Sequence, residues 1–175
     1  LLWSPINPTH EQRVREIIQS EWPQICISIS SEVQPIIREW QRTSATAIDA
    51  SVKPAMRKYT TDLQRSLTND GFKHDFLMVV ATGGTMTARS AAEMPVNTIG
   101  SGPATGPLAG LFLAAERGSD GIITIDMGGT SFDICLIEKG KVPTTRAGKI
   151  GFETLGISSV DVGSLGAGGG SIACV

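Results

Sequence analysis

The sequence predicts an α/β fold, and three observations carry the prediction. Phe76-Leu77-Met78-Val79-Val80-Ala81 is a continuous apolar run of strand length, as expected of a strand buried on both faces. Residues 43–69 keep an apolar stripe at helical spacing. Ile122–Met127 and Phe132–Ile137 are two further strand-like runs, joined by a turn with adjacent glycines. Helix and strand signals therefore alternate along the chain, the pattern of a sheet covered by helices.

Composition bounds the rest. The chain has 175 residues, 41% hydrophobic and 18% charged, which is enough for one globular domain with a sizeable core. Its net charge of -2 offers no basic footprint for nucleic acid, and no apolar run reaches bilayer length. Cys26, Cys135 and Cys174 are odd in number, lack C-x-x-C spacing and sit among apolar or β-branched neighbours. Reduced thiols packed in strands, and hence a cytoplasmic setting, are expected. The chain begins Leu1-Leu2-Trp3-Ser4-Pro5 without an initiator Met or a basic n-region, and Ile172-Ala173-Cys174-Val175 resembles mid-strand sequence. A piece of a longer polypeptide is expected.

In order along the chain, a first helix is expected from about Asn7 to Glu21. Asn7 or Thr9 caps it, Val14, Ile17, Ile18 and Trp22 form its apolar face, and Pro23 ends it. Ile25–Ser30 alternates apolar and polar residues as a half-buried strand does, and residues 32–40 form a short irregular or helical link. In the long helix from Thr43 to about Asn69, Ile48, Val52, Ala55, Met56, Tyr59, Leu63 and Leu67 share one face. Pro54 is expected to kink or break it, and Asp70-Gly71 closes it.

The run at 76–81 ends in Thr82-Gly83-Gly84-Thr85. This is either a substrate-facing loop at a strand's carboxyl end or a plain strand-to-helix turn capped by Thr85 or Thr87. Ser101-Gly102-Pro103 then opens a helix with Leu108, Leu111, Phe112 and Ala115 toward the core. Gly102, Gly106 and Gly110 recur every four residues, and glycine inside a helix costs about 1 kcal/mol relative to Ala. Close approach by another helix, another backbone or a ligand is the expected reason. Residues 141–149 are expected to form a further strand with a bend at Pro143.

The chemistry concentrates in Asp126-Met127-Gly128-Gly129-Thr130-Ser131-Phe132-Asp133. Gly128 and Gly129 lack a Cβ, so phosphate can approach the backbone, where successive N–H groups form an anion-binding concavity. Thr130 and Ser131 add hydroxyl donors. Asp126 and Asp133 repel phosphate, so their natural partner is a divalent cation bridging carboxylate to phosphate oxygens, and Mg²⁺ fits best. The same residue types also suit an ordinary β-hairpin with two solvated aspartates. A last glycine-rich loop is expected over residues 160–171, and its three consecutive glycines, Gly168-Gly169-Gly170 before Ser171, are costly in backbone entropy unless the backbone must approach something. A flexible linker is the other reading, and the apolar flanks argue against it.

These motifs together resemble a known pattern. Strand, Asp126-x-Gly-Gly-Thr-Ser-x-Asp133, strand, after a small-residue helix from Gly102, resembles the second phosphate loop and connecting helix of the actin, sugar-kinase and heat-shock ATPase superfamily. Within it, Ser101-Gly102-Pro103-Ala104, Asp126–Ser131 and Gly166–Ala173 are similar to the hydantoinase A, 5-oxoprolinase and acetone or acetophenone carboxylase family. Ser30-Ser31-Glu32-Val33 and Arg42-Thr43-Ser44 extend the resemblance over nearly the whole chain.

The resemblance implies a ribonuclease-H-like (actin-like ATPase) lobe, with an α/β segment at 1–95 and a phosphate-loop segment at 96–175. It implies an ATP-dependent subunit that opens a cyclic amide or carboxylates a ketone together with a hydantoinase-B-like partner in a hetero-oligomer. ATP phosphates are then expected at Asp126, Gly128, Gly129, Thr130, Ser131, Gly168, Gly169, Gly170 and Ser171, with Mg²⁺ or Mn²⁺ at Asp126 and Asp133. The family's first phosphate loop and its adenosine-binding region are absent from these residues, so weak ATP binding by this segment alone is expected. A nucleotide-switched chaperone or scaffold ATPase would need the same loop, and a degenerate structural subunit is a third possibility. Many family members read Asp-x-His-Thr where this chain has Asp161-Val162-Gly163-Ser164, so no metal-ligating histidine is expected there. His10 and His74 are not spaced as a ligand pair and read as surface residues.

Overall fold

The computed structural model describes residues 1–150, 153–172 and 174. In chain order it contains α1 (Thr9–Glu21), α2 (Ser30–Val33), α3 (Glu39–Asn69), β1 (Leu77–Val79), β2 (Thr85–Thr87), α4 (Ala88–Glu93), a 3₁₀ turn at Pro95–Thr98, and α5 (Ser101–Glu116). Next come β3 (Ile122–Met127) and β4 (Phe132–Ile137), then the short strands β5 (Thr144–Thr145), β6 (Lys149–Ile150), β7 (Glu153–Thr154), β8 (Ser159–Val160) and β9 (Gly163–Leu165). The α/β class expected from the sequence is observed. Two compact units interleave along the chain: Leu1–Met78, Thr85–Ile99 and Arg146–Ile157 form the first, and Val79–Gly84, Gly100–Thr145 and Ser158–Val175 form the second. The expected strand over 172–175 includes residues outside those described.

The first unit is organised by α3. The helix runs unbroken through Pro54, so the missing proline N–H is tolerated without ending it. The apolar stripe expected is buried only in part: Ile48 packs against the core, Val52, Met56, Leu63 and Leu67 are half-buried, and Ala55 and Tyr59 are exposed. The fully buried positions are Arg42, Ala45, Asp49, Lys53 and Thr60, spaced three, four, four and seven residues apart and so close to one face of the helix. Each charge is withdrawn from water with partners. Arg42 donates to the Ile36 carbonyl at 2.6 Å and the Leu1 carbonyl at 2.8 Å. Asp49 accepts from the Ser28 hydroxyl at 2.6 Å and the Val96 amide at 3.1 Å, and pairs with Lys53 at 3.1 Å. Lys53 also donates to the Ile27 carbonyl at 3.3 Å.

Those bonds explain a departure at residues 25–30. The alternating pattern forms no ladder; residues 26–29 lie outside regular structure and α2 begins at Ser30. Ser28 and Ile27 give their polar groups to Asp49 and Lys53, so side chains replace a neighbouring strand. On α1 the only buried residue is Glu11, while Val14, Ile17 and Trp22 are about half exposed. The Glu11 carboxylate accepts from the Ser30 hydroxyl at 2.6 Å and the Ser31 amide at 2.9 Å. Burial opposes ionisation, while these hydrogen bonds favour the charged form. A small apolar cluster, Val33, Ala45, Val96, Leu155 and Ile157, completes the packing of this unit.

The run at 76–81 also differs from expectation. Its strand is only β1, paired with β2, and Leu77 is 62% exposed. Apolar content alone does not distinguish a central strand from the arm of a short hairpin. Gly83 takes φ +84 in the turn, a conformation open to glycine at no steric cost. The alternative in which a cap follows the turn is the one observed: Thr87 accepts the Ser90 amide at 3.1 Å and caps α4.

The second unit is a three-stranded antiparallel sheet in the order β3-β4-β9, with α5 on one face. Ile122, Leu111, Ala104, Cys135, Ile137 and Val160 pack together between them. Burial raises the Cys135 thiol above its ordinary pKa, with the Asp161 charge adding to it. Of the three cysteines only Cys135 lies in a strand and is buried; Cys26 is half-buried and Cys174 exposed. Of the three spaced glycines only Gly110 makes a close approach. A Cβ there would overlap Thr124 Cγ2 and reach 2.8 Å from Ile122 Cδ1, whereas Gly102 and Gly106 face open space. The close contact is therefore helix on strand, and the expected interhelical contact is not observed. Phe112 lies 66% exposed rather than in the core. The other sheet face presents Ile123, Ile125, Met127, Leu136 and Leu165, all exposed. The polar run 141–149 yields only the edges β5 and β6 in place of one longer strand.

Candidate functional site

The site lies wholly within the second unit, at the turn between β3 and β4. Strand register sets its geometry. Asp126 is directly opposite Asp133, and Asp133 is in turn opposite Ser164 on β9. Residues directly opposite in an antiparallel pair point to one face, so two carboxylates and a hydroxyl form a row across three strands. Thr124 and Cys135 lie on that same face. Gly163 pairs with Ile134, so a side chain there would project to the other face. The histidine missing at Gly163 therefore leaves the acid row intact.

Two carboxylates opposite each other in a sheet are mutually destabilising. The arrangement is left uncompensated by protein: Asp133 Oδ1 is withdrawn from solvent and has no hydrogen-bond partner among the described residues. A buried carboxylate oxygen without a donor costs about 1–3 kcal/mol or more. A hard cation would remove both penalties, and carboxylate and hydroxyl oxygens are donors that Mg²⁺ takes. The residues present fit that ion, with Asp126, Asp133 and Ser164 as the oxygen donors. Among the described residues no group of three or more His, Cys, Asp or Glu side chains converges, here or elsewhere, and His10 and His74 are both exposed.

The turn itself is fixed on both sides. The Gly128 amide donates to the Ser131 carbonyl at 3.0 Å, and the Gly128 carbonyl accepts from the Gly169 amide at 2.9 Å. The amides of Gly129, Thr130 and Ser131 make no hydrogen bond among the described residues, nor do the Thr130 and Ser131 hydroxyls. Three consecutive amide donors and two hydroxyls beside an acid pair can take phosphate oxygens and the cation that accompanies them.

The structure thus brings together both glycine-rich motifs singled out in the sequence. Gly168 is buried, and a Cβ on it would overlap the Gly129 carbonyl carbon and oxygen and reach 2.5 Å from the Thr130 nitrogen. Gly169 and Gly170 have ordinary van der Waals room, 3.7 and 3.8 Å from the nearest carbonyl oxygens. Close approach of backbone, the reason expected for this loop, holds at Gly168 and not along the whole triplet. Ser164 lies in the stretch expected as glycine-rich loop, but Gly163–Leu165 forms the strand β9 instead. Its placement depends on β4 pairing with β9, a contact between distant segments that no local pattern reports.

Comparison with known proteins decides the lineage. The sequence profile of the hydantoinase/oxoprolinase family matches residues 42–175. The chain belongs to the hydantoinase/oxoprolinase family. It is 38% identical over 172 residues to the caprolactamase subunit alpha of Pseudomonas jessenii, covering 98% of this chain and 25% of that protein. Two solved structures share its fold: the ATP-dependent caprolactamase of Pseudomonas jessenii, with a TM-score of 0.88 and 37% identity over 99% of this chain and 25% of that one, and nucleotide-free acetone carboxylase, with a TM-score of 0.80 and 30% identity over 96% and 24%. Relatives of this chain are thus ATP-dependent enzymes acting on cyclic amides or ketones. The chain spans about a quarter of the length of these relatives. Among the described residues no helix is long and apolar enough to cross a membrane.

Proposed function

We propose that this chain carries the phosphate loop of an ATP-dependent enzyme subunit that activates a carbonyl compound by phosphoryl transfer. The observation that carries the reading is the free amide run Gly129–Ser131 beside the Asp126–Asp133 pair, with Asp133 Oδ1 buried and unpartnered. Gly128, Gly129, Thr130 and Ser131 hold phosphate oxygens through backbone amides and hydroxyls. Asp126 and Asp133 hold Mg²⁺ or Mn²⁺, and Gly168, Gly169, Gly170 and Ser171 line the same cradle. ATP with its metal supplies the phosphoryl group and the charge neutralisation for its transfer. Carboxylates without other partners orient the cation and keep bulk water from competing for it. Preformed amides impose no reorganisation as charge develops, which is where such donors are worth most.

The fold reading that goes with this is a ribonuclease-H-like, actin-like ATPase lobe, in which residues 96–175 hold the phosphate loop and 1–95 an α/β segment. The reaction is cyclic-amide opening or ketone carboxylation, since caprolactamase shares 37–38% identity with the chain, the acetone and acetophenone carboxylases 30–32% and the 5-oxoprolinases 27–29%. A hydantoinase-B-like subunit completes the enzyme in a hetero-oligomer, and the assembly works on a small carbonyl substrate in the cytoplasm.

The test uses the full-length protein with that partner. ATP hydrolysis is measured with caprolactam, hydantoin, 5-oxoproline, acetone and acetophenone, comparing wild type with Asp126→Ala and Thr130→Ala. A fall of at least about a hundredfold in substrate-stimulated turnover is expected for Asp126→Ala, on the scale of losing one charge-stabilising group. Unchanged turnover in both variants overturns the phosphate-loop assignment.

A further inference from the structure

The loop Gly168–Ser171 spends most of its donors on the protein itself. The Gly168 amide donates to Ser171 Oγ at 3.0 Å, the Ser171 amide returns to the Gly168 carbonyl at 2.9 Å, and the Gly169 amide goes to the Gly128 carbonyl. Among the described residues only the Gly170 amide of these four is left over. By contrast the turn it touches leaves its amides at Gly129, Thr130 and Ser131 without a partner among the described residues. A loop built chiefly to donate to phosphate would show the opposite allocation.

We propose that Gly168, Gly169 and Ser171 are positioning residues that hold the Gly128–Ser131 turn in its anion-ready shape before nucleotide arrives. The proposal rests on the phosphate-loop reading above and assigns this loop a different task within it. Gly168 is buried and lies against the rigid backbone of Gly129 and Thr130, so no flexible side chain there can give way. Gly169 pins the turn through the Gly128 carbonyl. Ser171 closes the loop on Gly168 by a reciprocal pair of hydrogen bonds, which fixes where Gly168 and Gly169 sit. Preorganisation of this kind removes the ordering cost from the binding step.

The experiment compares full-length wild type with Ser171→Ala, Ser171→Thr and Gly168→Ala. Two quantities are measured: hydrogen exchange of the bonded amides of Gly128 and Gly169 in nucleotide-free protein, resolved by fragmentation of the labelled peptides, and Mg–ADP affinity by calorimetry. Ser171→Ala is expected to exchange about fivefold faster at these two amides, the scale of one lost hydrogen bond, and to bind Mg–ADP correspondingly more weakly. Peptides of α5 should stay at the wild-type rate, and Ser171→Thr, which keeps the hydroxyl, should restore both quantities. Gly168→Ala should show the larger effect on both. Wild-type exchange in nucleotide-free Ser171→Ala overturns the positioning role, whether its affinity falls, which would make Ser171 a direct phosphate ligand, or stays. Asp126→Ala and Thr130→Ala separate the two claims. If both bind Mg–ADP as wild type does, the phosphate-loop reading fails, while faster exchange in Ser171→Ala would still establish the loop's hold on the turn.

Discussion

Asp49 in the first unit and Asp133 in the second are carboxylates drawn away from water, yet their surroundings differ. Asp49 is fully buried and takes a hydroxyl from Ser28, an amide from Val96 and the ammonium of Lys53. Asp133 sits opposite a second carboxylate and keeps one oxygen without any donor. Desolvating a charge costs several kcal/mol, and only a complete set of partners returns that cost. Asp49 has such a set, so its role ends with the fold. Asp133 lacks one, so the fold carries a penalty there that a bound cation would remove. Asp49 is fully buried with a complete hydrogen-bond shell, whereas Asp133 is half-buried with an incomplete one, and the proposed cation belongs to the second.

The comparison can be broken at several points. The largest effect is expected from Asp49→Ala, which leaves the Lys53 ammonium buried and uncompensated. Chemical denaturation should show a loss of about 3–5 kcal/mol, largely recovered in Asp49→Leu combined with Lys53→Met. A loss under about 1 kcal/mol would mean that Asp49 is not the structural acid described.

Glu11 sharpens the same point through pH. Its hydrogen bonds from Ser30 and Ser31 favour the charged form, so the stability they contribute is present above the ordinary carboxylate pKa and is lost as pH falls below it, and Glu11→Gln should flatten that segment of the stability profile. A profile of unchanged steepness in the variant would remove Glu11 from the group of fully partnered acids.

The smallest effect is expected at the site itself. Asp133→Asn removes one of two opposed like charges, so stability should hold or rise by under about 1 kcal/mol, measured by thermal or urea unfolding. A loss above about 2 kcal/mol would place Asp133 with Asp49 and erase the distinction between them.

Legibility from sequence follows the range of the interactions involved. The Asp126–Asp133 hairpin was legible because strand, turn chemistry and strand occupy one short stretch, and its ends are the observed β3 and β4. The long helix was legible in length but not in orientation. Its apolar positions predict a core face at Ile48, Val52 and Tyr59, of which Ile48 packs against the core, Val52 is half-buried and Tyr59 is exposed, while the fully buried positions include Arg42, Asp49 and Lys53. Those charges are buried because Ser28, Ile27, Ile36, Leu1 and Val96 supply partners from elsewhere, and a pattern of hydrophobicity does not encode such partners. Ile25–Ser30 failed as a strand for the same reason.

By itself the sequence determined the family, the α/β class and the course of the Gly-Gly hairpin, because these depend on residue types close together in the chain. Tertiary structure alone decided that Gly168 abuts the Gly129–Thr130 backbone, that Ser164 joins the acid row, and that Asp133 rather than Asp49 keeps an unpartnered oxygen. Each of these is a contact between segments far apart in sequence, and a polar group's need for a ligand is settled only when every neighbour that could satisfy it has been placed.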